Sequence, residues 1–82
     1  MKNDVLRAIA DATRLKLLER IARSEVCACE LPKSARISQP AVSQHLKVLL
    51  GAGLVDMRKD GAKRLYSLSP LGKKVLGQVS RW

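Results

Sequence analysis

Apolar positions recur three and four residues apart over most of this chain and alternate in only one stretch. The first stripe, Val5, Leu6 and Ile9, predicts a short helix from about Asp4 to Ala10 with Asn3 as its cap. Asp11 is placed to cap a second helix near 12–23. Leu15, Leu18, Ile21 and Ala22 mark its buried face, and Arg14, Lys16, Arg20 and Arg23 point outward. In "SEVCACELPKSAR", Pro32 fits only the first turn of a helix. The third helix should therefore start near Glu30, with Cys29 near its cap, and end close to Arg36. Ser38 then caps a fourth helix with Pro40 in its first turn, running through "QPAVSQHLKVLLGAG" until Gly51 and Gly53 stop it.

The alternating stretch is "LVDMRKDGAKRLYSL". Leu54 and Met57 on one arm, Tyr66 and Leu68 on the other, and Asp60-Gly61 as a two-residue turn predict a β-hairpin. Ser69-Pro70 restarts a helix, with Leu71, Val75, Val79 and Trp82 at helical spacing. The order helix, helix, helix-turn-helix, hairpin, helix is mainly α with a β-hairpin: a winged helix-turn-helix, one domain over residues 1–82.

Length sharpens this. A chain of 82 residues buries only about 60–65% of its unfolded surface, and such small cores are commonly completed by disulfides, metals or oligomerisation. Two cysteines make no disulfide framework, so a second subunit is the expected supplement. The stripes of the first and last helices are left without an obvious partner. No apolar run is long enough to span a membrane. The start "MKNDVLRAIAD" lacks a signal-peptide core, so a cytoplasmic location with reduced thiols is expected.

The net charge is +9, and it is uneven. Residues 1–30 carry +1 and residues 31–82 carry +8. Spread evenly, such a charge would serve solubility. Concentrated beside a helix-turn-helix, it suits a polyanion, here double-stranded DNA. Advancing about 100° per residue puts Val48, Ala41, His45, Leu49, Val42, Leu46 and Leu50 on one arc of the fourth helix. Ser43, Lys47, Pro40 and Gln44 fall on the other, with Gln39 at its edge. Gln39, Ser43 and Gln44 are candidate base-edge readers, and Pro40 offers apolar contact to a thymine methyl. Lys47 and Ser38, with Arg58, Lys59, Lys63 and Arg64 of the wing, are candidate phosphate contacts. The competing reading of the wing charges is protection of an edge strand. His45, the only histidine, should be packed and hydrogen-bonded rather than a metal ligand. No nucleophile–base pair or phosphate loop occurs, so an enzyme is not expected.

The stretches "IADATRLKLLERIA", "EVCACEL", "SQPAVSQHLKVLLGAGLV" and "RKDGAKRLYSLSPLG" resemble the ArsR/SmtB family of metal-responsive repressors, over roughly residues 8–76. The CxC of Cys27 and Cys29 resembles the arsenic- and antimony-sensing branch. The resemblance implies a homodimer joined by the first and last helices (Val5, Leu6, Ile9, Leu71, Val75, Val79, Trp82). It also implies an imperfectly palindromic operator and release by an inducer, with no cofactor needed to bind DNA. Three departures stand out. Pro32 replaces the third cysteine of the usual CxCxxC. The last helix has no His, Asp or Glu for the zinc site of related members. Arg36 stands where the turn usually carries Gly.

Two cysteines at i and i+2 diverge by about 200° on an α-helix, but share a face in an extended segment, with Cα atoms about 6.6 Å apart. Extended, Cys27 and Cys29 could grip a soft ion. As(III) and Sb(III) take three sulfurs, leaving the third place to solvent, a small-molecule thiol or Glu30. The same pair could instead form a redox switch, or be two small buried residues. A non-sensing architectural or RNA-binding winged helix is the remaining alternative.

Overall fold

The structure, a computed structural model, describes residues 2–79, with side chains for residues 4–78. Trp82 lies outside the described residues, as does the side chain of Val79. Five helices and three strands follow one another: α1 Lys2–Ala10, α2 Ala12–Arg23, β1 Val26–Cys27, α3 Leu31–Ala35, α4 Gln39–Gly51, β2 Val55–Asp60, β3 Lys63–Leu68 and α5 Pro70–Val79. A 3-10 turn, Ala28–Glu30, joins β1 to α3. The winged helix-turn-helix is present as expected.

The helix ends follow from their caps. The Asp11 carboxylate accepts the Arg14 backbone N–H at 3.0 Å, starting α2. Ser38 Oγ accepts from the Ala41 N–H at 3.3 Å, starting α4. Asn3, expected as a cap, lies inside α1 instead. α4 ends in a Schellman motif: the Leu54 N–H bonds to the Leu49 carbonyl and the Gly53 N–H to that of Leu50. Gly53 takes the required left-handed conformation, φ +77°, so Gly53 is the stop, and Gly51 is the last helical residue. α3 ends the same way on Arg36, φ 58°, without glycine's freedom.

The core gathers Leu17, Leu18 and Ile21 of α2, Leu31, Val42, Leu46 and Leu49 of the helix-turn-helix, and Leu54, Val55 and Tyr66 around the hairpin. The buried face of α2 is turned from the expected one: Leu17 is buried, Leu15 half-buried and Ala22 exposed. "LKLL" is apolar around much of the helix, so periodicity alone does not fix the face's centre. Arg14, expected outward, turns back onto α1. Its Nε donates to the Ala8 carbonyl at 3.1 Å and its Nη2 to that of Arg7 at 2.9 Å, satisfying carbonyls at the end of that helix. Leu50, expected in the core, is 40% exposed.

The sheet has three antiparallel strands in the order β1-β3-β2. Val55 faces Leu68 and Met57 faces Tyr66, so the inner face of β2 carries Val55 and Met57. Leu54 is buried before the strand begins. Asp60 pairs with Lys63, which makes Gly61-Ala62 the turn, one residue later than expected. Gly61 has φ +62° and Ala62 is not in the positive region. A two-residue hairpin turn with positive φ only at its first central position is type II′, which calls for glycine there. Ser69 caps α5: its Oγ accepts from the Gly72 N–H at 3.0 Å and donates to the Gly53 carbonyl at 2.6 Å. Gly72 sits so close to the Leu54 carbonyl and the Leu68 side chain that no Cβ fits.

Candidate nucleic-acid interface and cysteine pair

Gln39, Pro40, Ser43, Gln44 and Lys47 are all exposed on α4, together on the outer arc the sequence assigned them. Ser38 is exposed too, but its hydroxyl is committed to the cap. Lys59, Lys63 and Arg64 are exposed along the wing, where Lys59 and Arg64 lie opposite each other across the strands. Like charges in that register are destabilising.

Arg58 is held differently. Its Nε and Nη2 donate to the two carboxylate oxygens of Glu25 at 2.9 and 2.8 Å. The pair is solvent-exposed. The Arg58 guanidinium, as hydrogen-bond donor, holds the Glu25 carboxyl below its usual range, and Glu25 in turn raises Arg58. Glu25 directly precedes β1, so the contact ties the cysteine-bearing segment to β2.

β1 itself was not legible in the sequence. Val26 pairs with Tyr66 and Cys27 with Leu65 of β3, so the first cysteine belongs to the sheet that forms the wing. Contrary to the expectation of an extended stretch, the segment stops being extended at Cys27. The chain coils at Ala28, bringing the cysteine Cα atoms to 5.2 Å, and the two sulfurs are joined as a disulfide. Cys27 is 7% exposed, whereas Cys29 is open to solvent. The Cys29 backbone N–H donates to Cys27 Sγ at 3.3 Å. Glu30 is exposed and is not gathered with the pair. Among the described residues no group of three His, Cys, Asp or Glu side chains is placed to hold a metal ion.

Both cysteines line a groove of about 530 Å³ between α4 and the wing, together with Gln39, Ser43, Lys47, Lys63 and Arg64. Two of the four candidate base readers, Gln39 and Ser43, thus share one concavity with three cations and the sulfur pair, while Pro40 and Gln44 do not line it. His45 is packed in α4 as expected, but its Nδ1 is buried without a hydrogen-bond partner among the described residues. Asp11 nearby is lowered mainly by the Arg14 backbone N–H and, more weakly, by the charges of Arg14 and His45.

The expected dimer surface is divided. Val5, Ile9 and Val75 are partly buried against the chain's own core, so α5 does find intrachain packing, on α2 and β3. Leu6, 59% exposed, and Leu71, 41% exposed, face solvent. Among the described residues no helix is long and apolar enough to cross a membrane.

Residues 11–57 match the family profile described as "Bacterial regulatory protein, arsR family". The chain is 46% identical over 70 residues to an HTH-type transcriptional regulator of Mycobacterium tuberculosis, covering 85% of this chain and 65% of that protein. It is 40% identical over 65 residues to the arsenical resistance operon repressor of Staphylococcus aureus, covering 79% and 62%. It is 52% identical over 62 residues to a probable mercury resistance operon repressor of Streptomyces lividans, covering 76% and 50%. The chain thus spans about half to two thirds of the length of these relatives. The crystal structure of NolR from Sinorhizobium fredii superposes with a TM-score of 0.88 at 33% identity, covering 98% of this chain and 81% of that one. Each of the four is similar to at least three quarters of this chain, and the chain belongs to the arsR family of bacterial regulatory proteins.

Proposed function

We propose that this chain is a dimeric DNA-binding repressor whose operator affinity falls when a soft metal or metalloid ion, As(III) or Sb(III) foremost, bridges Cys27 and Cys29. The observation that carries the reading is the shared groove: the sulfur pair opens onto the same concavity as Gln39, Ser43, Lys47, Lys63 and Arg64. In this reading α4 lies in the major groove, with Gln39, Pro40, Ser43 and Gln44 at base edges, and Lys47 and the wing cations on phosphates. The Lys59–Arg64 repulsion is relieved by an anionic partner. Leu6 and Leu71, with Val5, Ile9 and Val75 behind them, meet the second copy. Two recognition helices then read half-sites about 34 Å apart on an imperfect palindrome.

Induction works through two connections. An ion on the cysteines reshapes the turn before α3, and it pulls on β1, which is hydrogen-bonded to the wing strand β3. A coupling of about 1–3 kcal/mol suffices for a useful switch. α5 offers no His, Asp or Glu, so no second metal site is assigned there. The relatives named for arsenical and mercury resistance support a soft-ion inducer. The test is a titration of As(III), Sb(III), Cd(II) and Zn(II) into the protein–operator complex, for the wild type and Cys27→Ser. Release by a thiophilic ion in the wild type alone supports the reading; unchanged affinity with every ion ends it.

A second reading has its own observation. The Cys27–Cys29 disulfide suits a thiol-redox switch acting through the same β1 connection. Oxidation by diamide, followed by operator binding and non-reducing mass spectrometry, separates it from metal sensing.

A further inference from the structure

The groove holds a pair of sulfurs, three cations and no carboxylate. Lys47, Lys63 and Arg64 line it beside Cys27 and Cys29, and none of the three has a carboxylate partner among the described residues. We infer that it seats an anionic low-molecular-weight thiol, which supplies the third sulfur to As(III) held by Cys27 and Cys29 and sets its carboxylate against these cations. This rests on the sensor reading above and names what completes its site.

Three features converge. As(III) takes three sulfurs, and the chain has only two cysteines. Glu30 points to no alternative, since it does not line the groove. The space, about 530 Å³, lies within the roughly 300–1,000 Å³ usual for small-molecule pockets. The charge inside is of one sign, so a carboxylate-bearing thiol gains charge-assisted contacts that a neutral or cationic thiol lacks. The occupied cations are those assigned to phosphate, so the co-ligand and DNA compete for the same charges.

The chemistry balances without an outside redox agent beyond the thiol itself. A thiolate attacks the exposed Cys29 Sγ, and the S–S bond breaks. Cys27 leaves as a thiolate facing the Cys29 N–H. A second thiolate displaces the mixed disulfide from Cys29, so the pair is reduced and the small thiol oxidised to its disulfide. Arsenous acid then exchanges its three hydroxyls for Cys27, Cys29 and one further thiol. Three As–S bonds form and three As–O bonds break; the hydroxyls leave as three waters, taking one proton from the third thiol and the two that the reducing thiols had released to solvent. No electrons move in that step.

The experiment uses the reduced full chain under anaerobic conditions. As(III) is titrated by its arsenic–thiolate ultraviolet absorbance, in equal concentrations of 3-mercaptopropionate, 2-mercaptoethanol or cysteamine. The apparent As(III) affinity should rank anionic, neutral, cationic thiol. The ratio between the extremes should shrink about tenfold in a Lys63→Gln/Arg64→Gln double variant, the loss of roughly one charge-assisted contact. Lys47→Gln should shrink it in the same direction. Native mass spectrometry should find one chain, one arsenic and one mercaptopropionate. An unchanged ratio in both variants, or a complex without the thiol, overturns the inference while leaving As(III) sensing intact. Failure of As(III) to bind in any thiol overturns both.

Discussion

Gly72 shows how much a single position can decide. Its backbone passes so close to the Leu54 carbonyl that Gly72→Ala must push α5 off the hairpin. The expected cost is about 1–3 kcal/mol, the usual range for overpacking, read as a lower urea midpoint. Arg36 is the opposite case. It ends α3 at φ 58°, a conformation that costs a non-glycine residue about 1–2 kcal/mol. Arg36→Gly should therefore raise stability, by somewhat less than that because glycine also loosens the unfolded chain. Asp11 gives a pH dependence. Its carboxyl is lowered chiefly by the Arg14 backbone N–H, so its contribution is present above the ordinary aspartate range and is lost as pH falls through the depressed value. Acid titration of stability should be shallower in Asp11→Asn than in the wild type. The caps Asp11, Ser38 and Ser69 were legible because a cap is a local residue preference. Gly72 was not, because its neighbours Leu54 and Leu68 reach it only through the tertiary fold.

The cysteine segment and the wing are coupled as elements. β1 is two residues long, too short to carry alternation, and its partner strand lies far along the chain, so sequence periodicity could not reveal it. The Glu25–Arg58 pair that braces it joins residues 33 apart and left no local signal either. The hairpin itself was legible from alternation and glycine, with the turn displaced by one residue because the glycine takes the first central position rather than the second. A consequence follows for DNA binding. Arg58 is held by Glu25 rather than free for phosphate. Glu25→Gln should release it, tighten operator binding and steepen the slope of log affinity against log salt by about one. An unchanged slope would mean that Arg58 contacts no phosphate in the complex.

At the scale of the molecule, the charge partition and the exposed leucines define two surfaces. About six to ten phosphate contacts across a dimer predict an affinity loss of ~10³–10⁵ between 50 and 200 mM salt; a flat response would contradict the assignment of α4 and the wing to DNA. Leu6→Glu and Leu71→Glu, at exposed positions, should dissociate the proposed dimer in sedimentation with the monomer still folded. The same change at Val5, Ile9 or Val75 should also destabilise the monomer, since these partly fill its core. The helical order, the outward face of α4 and the position of the sulfur pair were all readable from periodicity and spacing. The meeting of that pair with the recognition helix and the wing in one groove was not, because it depends on how the hairpin folds back over α4. The most direct measurement of the central claim is operator release by As(III), followed by fluorescence anisotropy on reduced wild type and Cys27→Ser. Sensing at the pair requires at least about a fivefold loss of affinity in the wild type, the lower end of typical allosteric coupling, and none in the variant. Equal retention of DNA by both proteins at saturating As(III) would contradict it.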